Sequence, residues 1–404
     1  MTREQYLQQK WVPYPVAPPD VVERGRFLGF AEGGELLLWR QEERIQVPYA
    51  ESEITSFLVP GDLIALSASG DVLLISPWKT QGVYTPIDSR NLRLWSRAKK
   101  AVLEFFDTEG FLEVQTPTLV VCPGTEPSLE VFETVLKNGS RSQKRFLPTS
   151  PELHLKKALA LGWEKVFEMK TCFRNGEITE VHQPEFTMLE WYRAWQGLEP
   201  IENDVIALIE FVRSEVGEER ARAPRRIERT TMKELFLKNL NVELKPEMTR
   251  ADYAQIATEA GLRVTDGDGI DDLFFQLFSE KIEASFDPET LVIVRDWPPF
   301  QAALARIGES GWAERFEVYW QGLELANAFH ELNDPEIQRL RFDEDLRKKK
   351  ALGKSDIPLD EGFQRALESG LPPSAGIALG VDRLVMALFG IRQIADLRAF
   401  PEKN

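Results

Sequence analysis

The sequence predicts an α+β protein in two unequal parts, a small β unit and a larger part in which strand hairpins mix with helices. Three observations carry this reading. At 404 residues the chain exceeds what one ordinary core organises, so two domains are expected. Between Glu23 and Pro77, short apolar runs are separated by Gly-containing turns. From Leu92 the apolar spacing becomes that of a helix, and strand-like and helical runs follow up to a glycine-punctuated stretch near the C-terminus.

Taken in order, residues 1–19 contain "WVPYPVAPP" and read as an irregular arm. Residues 20–78 hold the runs "RGRFLGFA", "GGELLLWR" and "ERIQVPY", a brief helix at "ESEITSFL", then "GDLIALSA" and "GDVLLIS". Three strands, a helix and two strands is the order of a small OB-like β-barrel; a plain β cap is the other reading. Residues 79–90 read as a linker, and 91–404 as the larger domain. Leu92, Trp95, Ala98, Val102 and Phe105 mark an amphipathic helix of about four turns. Gly110 stops it, and a short strand and Pro117 follow.

The net charge of −16 excludes a globally basic nucleic-acid binder. An anionic ligand must then be met by a few placed arginines. Residues 1–90 alone carry eight Lys/Arg against twelve Asp/Glu, which speaks against a strong RNA-binding role. No apolar run approaches the ~20 residues of a membrane span, and the polar "MTREQYLQQKW" lacks a signal-peptide core, so a cytoplasmic protein without membrane contact is expected. Cys122 and Cys172 are too few for a disulfide framework and read as small buried hydrophobes.

Three constellations carry chemistry. In "KVFEMKTCFR" and "EFTMLEWYR" two strand-like runs flank a polar loop, and Phe186, Met188, Glu190 and Tyr192 share one face of the second. Such a hairpin offers Arg174 to a phosphate and carboxylates to an amine; an ordinary solvated charged hairpin has the same composition. In "RFEVYWQGLELANAFHEL", Gln321-Gly322 forms a two-residue turn that pairs Tyr319 with Glu324. Glu317 then lies diagonal to Glu324, and two such carboxylates suit Mg²⁺ carrying phosphates. Asn327, Phe329 and Glu331 alternate with parity opposite to Glu324, so a pocket lined by all four requires a β-bulge between Glu324 and Asn327. In "GIALGVDRLVMALFG", Gly376 and Gly380 precede Arg383 at a strand-to-helix junction, a phosphate-contact arrangement or simply a helix start with a solvated Arg-Asp pair.

Together with "TSPELHLKKAL", these motifs in this order resemble the signatures of class II aminoacyl-tRNA synthetases of the lysyl subgroup, over roughly residues 90–400. Within it the chain is similar to the lysyl-tRNA synthetase paralogues that modify elongation factor P. "AERFEVYWQGLELANAFHEL" and "GIALGVDRLVM" carry this, with Ala378 where true lysyl-tRNA synthetases usually have glycine. The small N-terminal barrel departs from both groups.

The resemblance implies a class II synthetase-like antiparallel sheet with flanking helices, and ATP and Mg²⁺ as its small partners. Arg174 would hold the α-phosphate and Arg383 the γ-phosphate, with Glu317 and Glu324 on Mg²⁺. Asn175, His182, Gln183, Glu324, Leu325 and Gly380 would contact ATP. Ser150, Glu152, Glu190, Tyr192, Asn327, Phe329 and Glu331 would take lysine or (R)-β-lysine, with Ala378 associated with the β-isomer. The reaction would be an aminoacyl-adenylate followed by transfer to a lysine of elongation factor P, in a homodimer joined through helix 92–106 and Pro117. A tRNA partner is not expected. The alternatives are a truncated lysyl-tRNA synthetase and a non-catalytic binding paralogue. The loop Gly176–Val181 departs from the family pattern, with Gly176 where a glutamate is usual and Glu180-Val181 where an arginine is common.

Overall fold

The computed structural model describes residues 1–13, 20–41, 43–79, 89–217 and 221–402. It divides into two compact units, Met1–Asn91 and Leu92–Asn404. The linker expected at 79–90 falls mostly on 80–88, outside the described residues.

The first unit opens on α1 (Arg3–Gln9), where the sequence suggested only an irregular arm. The helix forms because Thr2 and Gln5 make a reciprocal capping box, and because Arg3 pairs with buried Asp62 through both terminal nitrogens, at 2.8 and 2.6 Å. Strands β1 (Val21–Phe30), β2 (Leu36–Arg40), β3 (Glu43–Val47), β4 (Leu63–Ser67) and β5 (Val72–Ser76) form an antiparallel sheet in the order β3-β2-β1-β4-β5. A 3₁₀ turn at Thr55–Phe57 stands where the brief helix was expected. An isolated bridge between Ala50 and Asp71 links the chain after β3 to the start of β5, consistent with an OB-like fold.

The second unit begins its packing with α2 (Arg90–Thr108), followed by β6 (Leu112–Glu113), the hairpin β7 (Glu133–Asn138) and β8 (Arg141–Phe146), and α3 (Glu152–Ala160). Strands β9 (Lys165–Phe173) and β10 (Glu185–Ala194) then lead to α4 (Leu198–Val216). Next come β11 (Arg226–Thr231), α5 (Met232–Leu240), α6 (Arg250–Glu259) and α7 (Ile270–Leu277). The chain returns through β12 (Thr290–Trp297), β13 (Ala313–Trp320) and β14 (Leu323–His330). It closes with α8 (Pro335–Ala351), α9 (Glu361–Gly370), β15 (Ser374–Gly380) and α10 (Val381–Phe389).

The eight-stranded sheet has the order β11-β12-β13-β14-β15-β10-β9-β6, antiparallel except for the outer pairs β11–β12 and β6–β9. The period-two rule then divides its residues between two faces. Leu189, Trp191, Phe316, Val318, Ala326, Ala328, Ile377 and Leu379 pack with α2, α4 and α10 in one apolar core. Glu190, Tyr192, Asn327, Phe329 and Ala378 have the other parity and point to the opposite face. Tyr192 joins a separate cluster there with α3, α8 and α9. Cys122 and Cys172 are both buried, as expected.

Polar ties fix the helices to the sheet. Arg193 Nε and Nη2 each donate at 2.7 Å to Asp204 on α4. Buried Glu202, also on α4, receives Arg229 of β11 and Arg295 of β12. Asp382 accepts from Trp95 Nε1, the Thr187 amide and Arg398, each at 2.8 Å, and so joins α2, β10, α10 and the C-terminal turn.

Candidate active site

Cross-strand register places the predicted residues in rows. Glu168, Glu190, Ala378, Asn327 and Glu317 are successive partners across β9, β10, β15, β14 and β13. Tyr192, Gly376, Phe329 and Arg315 form the next row. Ala378 therefore lies between Glu190 and Asn327. Tyr319 pairs with Glu324, but Val318 pairs with Ala326, so Leu325 is the extra residue of a β-bulge. It lies where the sequence parity required one. Gln321 and Gly322 both have positive φ, 56° and 72°, the pattern of a type I′ hairpin turn.

At one end, buried Glu190 accepts from Ser150 Oγ at 2.6 Å and from Tyr192 OH at 3.2 Å. Burial, then the Glu152 charge, pushes its carboxyl well above the usual range. Ser150 Oγ also accepts the Glu152 amide at 2.9 Å, setting the start of α3. Lys156, one turn later, donates to Glu152 Oε1 at 2.6 Å and lies 2.5 Å from Glu331 Oε2. The second contact has ion-pair distance but not hydrogen-bond direction, and Glu331 Oε1 has no partner at all. Burial outweighs the pull of Lys156 and moves the Glu331 carboxyl up. Gly376 is required here, since a Cβ would stand 2.1 Å from Tyr192 Cε1 and 2.9 Å from Glu331 Oε1.

The other end is cationic. Arg174 follows β9, stacks 5.2 Å from the centre of the Phe186 ring, and keeps a buried Nε without a hydrogen-bond partner. The Asn175 amide donates to the Glu130 carbonyl at 3.0 Å, which pins the loop that follows. Arg383 donates through Nη1 to the Glu324 carbonyl at 2.9 Å, with the Glu324 carboxylate at 3.7 Å. Its Nη2 stands 2.6 Å from His182 Nε2. A guanidinium only donates, so Nε2 must accept and the ring proton is assigned to Nδ1, facing Thr179 Oγ1 at 2.8 Å. Burial, then the Arg383 charge, lowers the His182 pKa and keeps the ring neutral. Gly380 caps α10 just before Arg383. Gln183 is held by the C-terminal segment: its Oε1 accepts from the Glu402 amide at 3.1 Å and its Nε2 donates to the Glu402 carbonyl at 3.4 Å. The Glu180 carbonyl accepts the Ile394 amide at 2.8 Å. The departing loop is therefore tied to the C-terminal turns by its backbone, and Gly176 adopts φ 79°.

Between the ends, Glu317 receives Arg315 and the Tyr319 hydroxyl. Arg315 Nε also donates to Asn327 Oδ1 at 3.0 Å, and its guanidinium lies 5.7 Å from the Phe329 ring. Burial pushes Glu317 up to about 7; Arg315 opposes this and the neighbouring Glu324 adds to it. The two acids are hard oxygen donors, and a carboxylate oxygen that accepts one bond keeps a second lone pair. The pair fits a hard divalent cation shared with phosphate oxygens. Among the described residues no cluster of three metal-ligating side chains exists to hold one alone.

Lys156, Arg315, Tyr319 and Gly376 were not singled out as site residues. Signals for three of them were present. Glu152 and Lys156 have i,i+4 helical spacing, and Arg315, Glu317 and Tyr319 alternate along one strand.

The family of class II tRNA synthetases (D, K and N) matches residues 83–404, which leaves most of the first unit outside the match. The chain is 37% identical over 312 residues to the elongation factor P--(R)-beta-lysine ligase of Hamiltonella defensa, covering 75% of this chain and 92% of the relative. The ligase of the same name from Proteus mirabilis is 37% identical over 77% of this chain and 94% of its own length. That from Vibrio vulnificus is 38% identical over 74% and 92%. The motifs, the sheet order and these matches agree: the chain belongs to the class II tRNA synthetase family of the D, K and N type, in the branch of the elongation factor P--(R)-beta-lysine ligases.

Proposed function

We propose that the protein activates (R)-β-lysine with ATP and transfers the β-lysyl group to a lysine side chain of elongation factor P. The observation that carries this is the division of one sheet face into a carboxylate end and an arginine end, with Ala378 between them. The amine groups of the substrate take Glu152, Glu190 and Glu331, with Tyr192 closing Glu190. Asn327 and Phe329 line the way to the phosphates. The Ala378 methyl narrows the floor between Glu190 and Asn327, which is how it would favour a displaced amino group.

Adenylation forms a bond from the substrate carboxylate to the α-phosphorus and breaks the bond to the β-phosphate oxygen, releasing pyrophosphate. Arg174 neutralises charge at the α-phosphate and Arg383, steadied by His182, at the γ-phosphate; Asn175, Gln183, Leu325 and Gly380 border the nucleotide. Glu317 and Glu324 would hold Mg²⁺, which supplies further charge neutralisation. No protein nucleophile is needed, because positioning and charge carry the step. The acceptor amine then displaces AMP from the acyl carbon.

The test is incubation with ATP, (R)-β-lysine or L-lysine, and either elongation factor P or tRNA. Modified elongation factor P and uncharged tRNA are expected; charged tRNA with unmodified factor would overturn the reading. Absence of pyrophosphate exchange with every amino acid would point to a binding paralogue.

The assembly is a homodimer in this reading. Leu112 of the edge strand β6, and Leu119 and Val121 just after Pro117 in sequence, are exposed apolar residues. Light scattering at micromolar concentration that gives a monomer mass would remove it. Among the described residues no helix is long and apolar enough to cross a membrane, and we assign the protein to the cytoplasm; recovery in a membrane fraction would contradict this.

A further inference from the structure

Lys156 is 1% exposed, yet it lies in the pocket proposed to receive amines. Burial alone would discharge it, but Glu152 and Glu331 outweigh that and keep it an ammonium. We propose that Lys156 is a positioning residue: it engages one oxygen of Glu152 and one of Glu331, and so reserves the second oxygen of each for the amines of the substrate. The proposal rests on the amino-acid activation described above and names what sets its specificity.

Three observations support it. Lys156 Nζ donates to Glu152 Oε1 at 2.6 Å and lies 2.5 Å from Glu331 Oε2. Glu331 Oε1 is buried without a partner, a state that costs free energy unless a ligand supplies the missing donor. That oxygen also faces the substrate side. A Cβ on Gly376 would touch both it and the Tyr192 ring, and the Tyr192 hydroxyl donates to Glu190. Without the internal ammonium, Glu331 loses the one group that opposes the upward shift of its carboxyl and holds a proton more firmly, and a protonated carboxyl cannot accept from an ammonium at that oxygen.

Lys156→Met keeps most of the volume and removes the charge. Calorimetric titration and ATP–pyrophosphate exchange are run with L-lysine, (R)-β-lysine and L-norleucine, which lacks the terminal amine. The expected result is about 10–100-fold weaker binding of the diamino acids, the cost of an unpaired buried group. Discrimination against norleucine should shrink by the same factor, with the KM for ATP unchanged. Equal loss for all three amino acids, or unchanged discrimination, overturns the proposal. Should the single variant fail to fold, Lys156→Met in a Glu331→Gln background decides. Little added loss beyond Glu331→Gln means that Lys156 acts through Glu331, and a full additive loss means that it does not. A wild-type protein that binds lysine without exchanging pyrophosphate defeats the activation reading while the titrations still judge Lys156. One that binds no diamino acid defeats both.

Discussion

The carboxylate end and the arginine end of the candidate site handle charge in opposite ways. At the first, the carboxyl groups of Glu152, Glu190 and Glu331 face one internal ammonium, and acceptor oxygens remain in excess. At the second, Arg383 is steadied by a neutral imidazole and a carbonyl, with the single Glu324 carboxylate at 3.7 Å, and Arg174 by an aromatic ring, so positive charge remains. Glu317 lies between the two regimes, already engaged by Arg315 and Tyr319.

Substitutions can break this contrast one end at a time. The largest effect is expected from Arg174→Ala, with adenylation slowed about 10²–10³-fold, as for loss of a transition-state donor. Amino-acid binding should survive; its loss would show that the two ends are not separable. Glu331→Gln should raise the KM for the diamino acid about 10–100-fold and erode selectivity, while ATP binding persists. Unchanged selectivity would remove Glu331 from the pocket.

The smallest effect concerns pH. The Glu317 carboxyl is pushed up to about 7, whereas an unfolded glutamate titrates near ~4.3. A raised carboxyl favours the fold in its protonated form, so this contribution is complete below the unfolded value and disappears as pH rises through 7. Between pH 5 and 8 the apoprotein should lose a few degrees of Tm, on the order of what a linked proton provides. Glu317→Gln should flatten that slope, and thermal melts with the wild-type slope would assign the effect elsewhere.

Much of this arrangement is legible in the sequence where it depends on local period. Alternation along β10, the Gln321-Gly322 turn, the Tyr319–Glu324 pairing and the displaced parity after Glu324 all follow from two-residue spacing. What escapes that reasoning depends on distant segments meeting. Lys156 and Glu331 come from a helix and a strand end far apart in the chain, and Gln183 meets Glu402 only after the C-terminus folds back. The helix α1 was missed for another reason: the capping pattern Thr2–Gln5 was present, but the proline-rich stretch after it dominated the reading.

The bulge at Leu325 has a consequence for how this strand can change. It acts as a frameshift in a two-letter code: the same alternating text is read in one phase before it and in the other after it. A one-residue deletion at Leu325 would remove the shift and leave a regular strand in which Glu324 and Asn327 have the same parity and still share one face. Point substitutions can drift across β14, and the bulge residue itself could be lost without a change of face, but a residue inserted or deleted anywhere else along the strand would rewrite every word on one side of it.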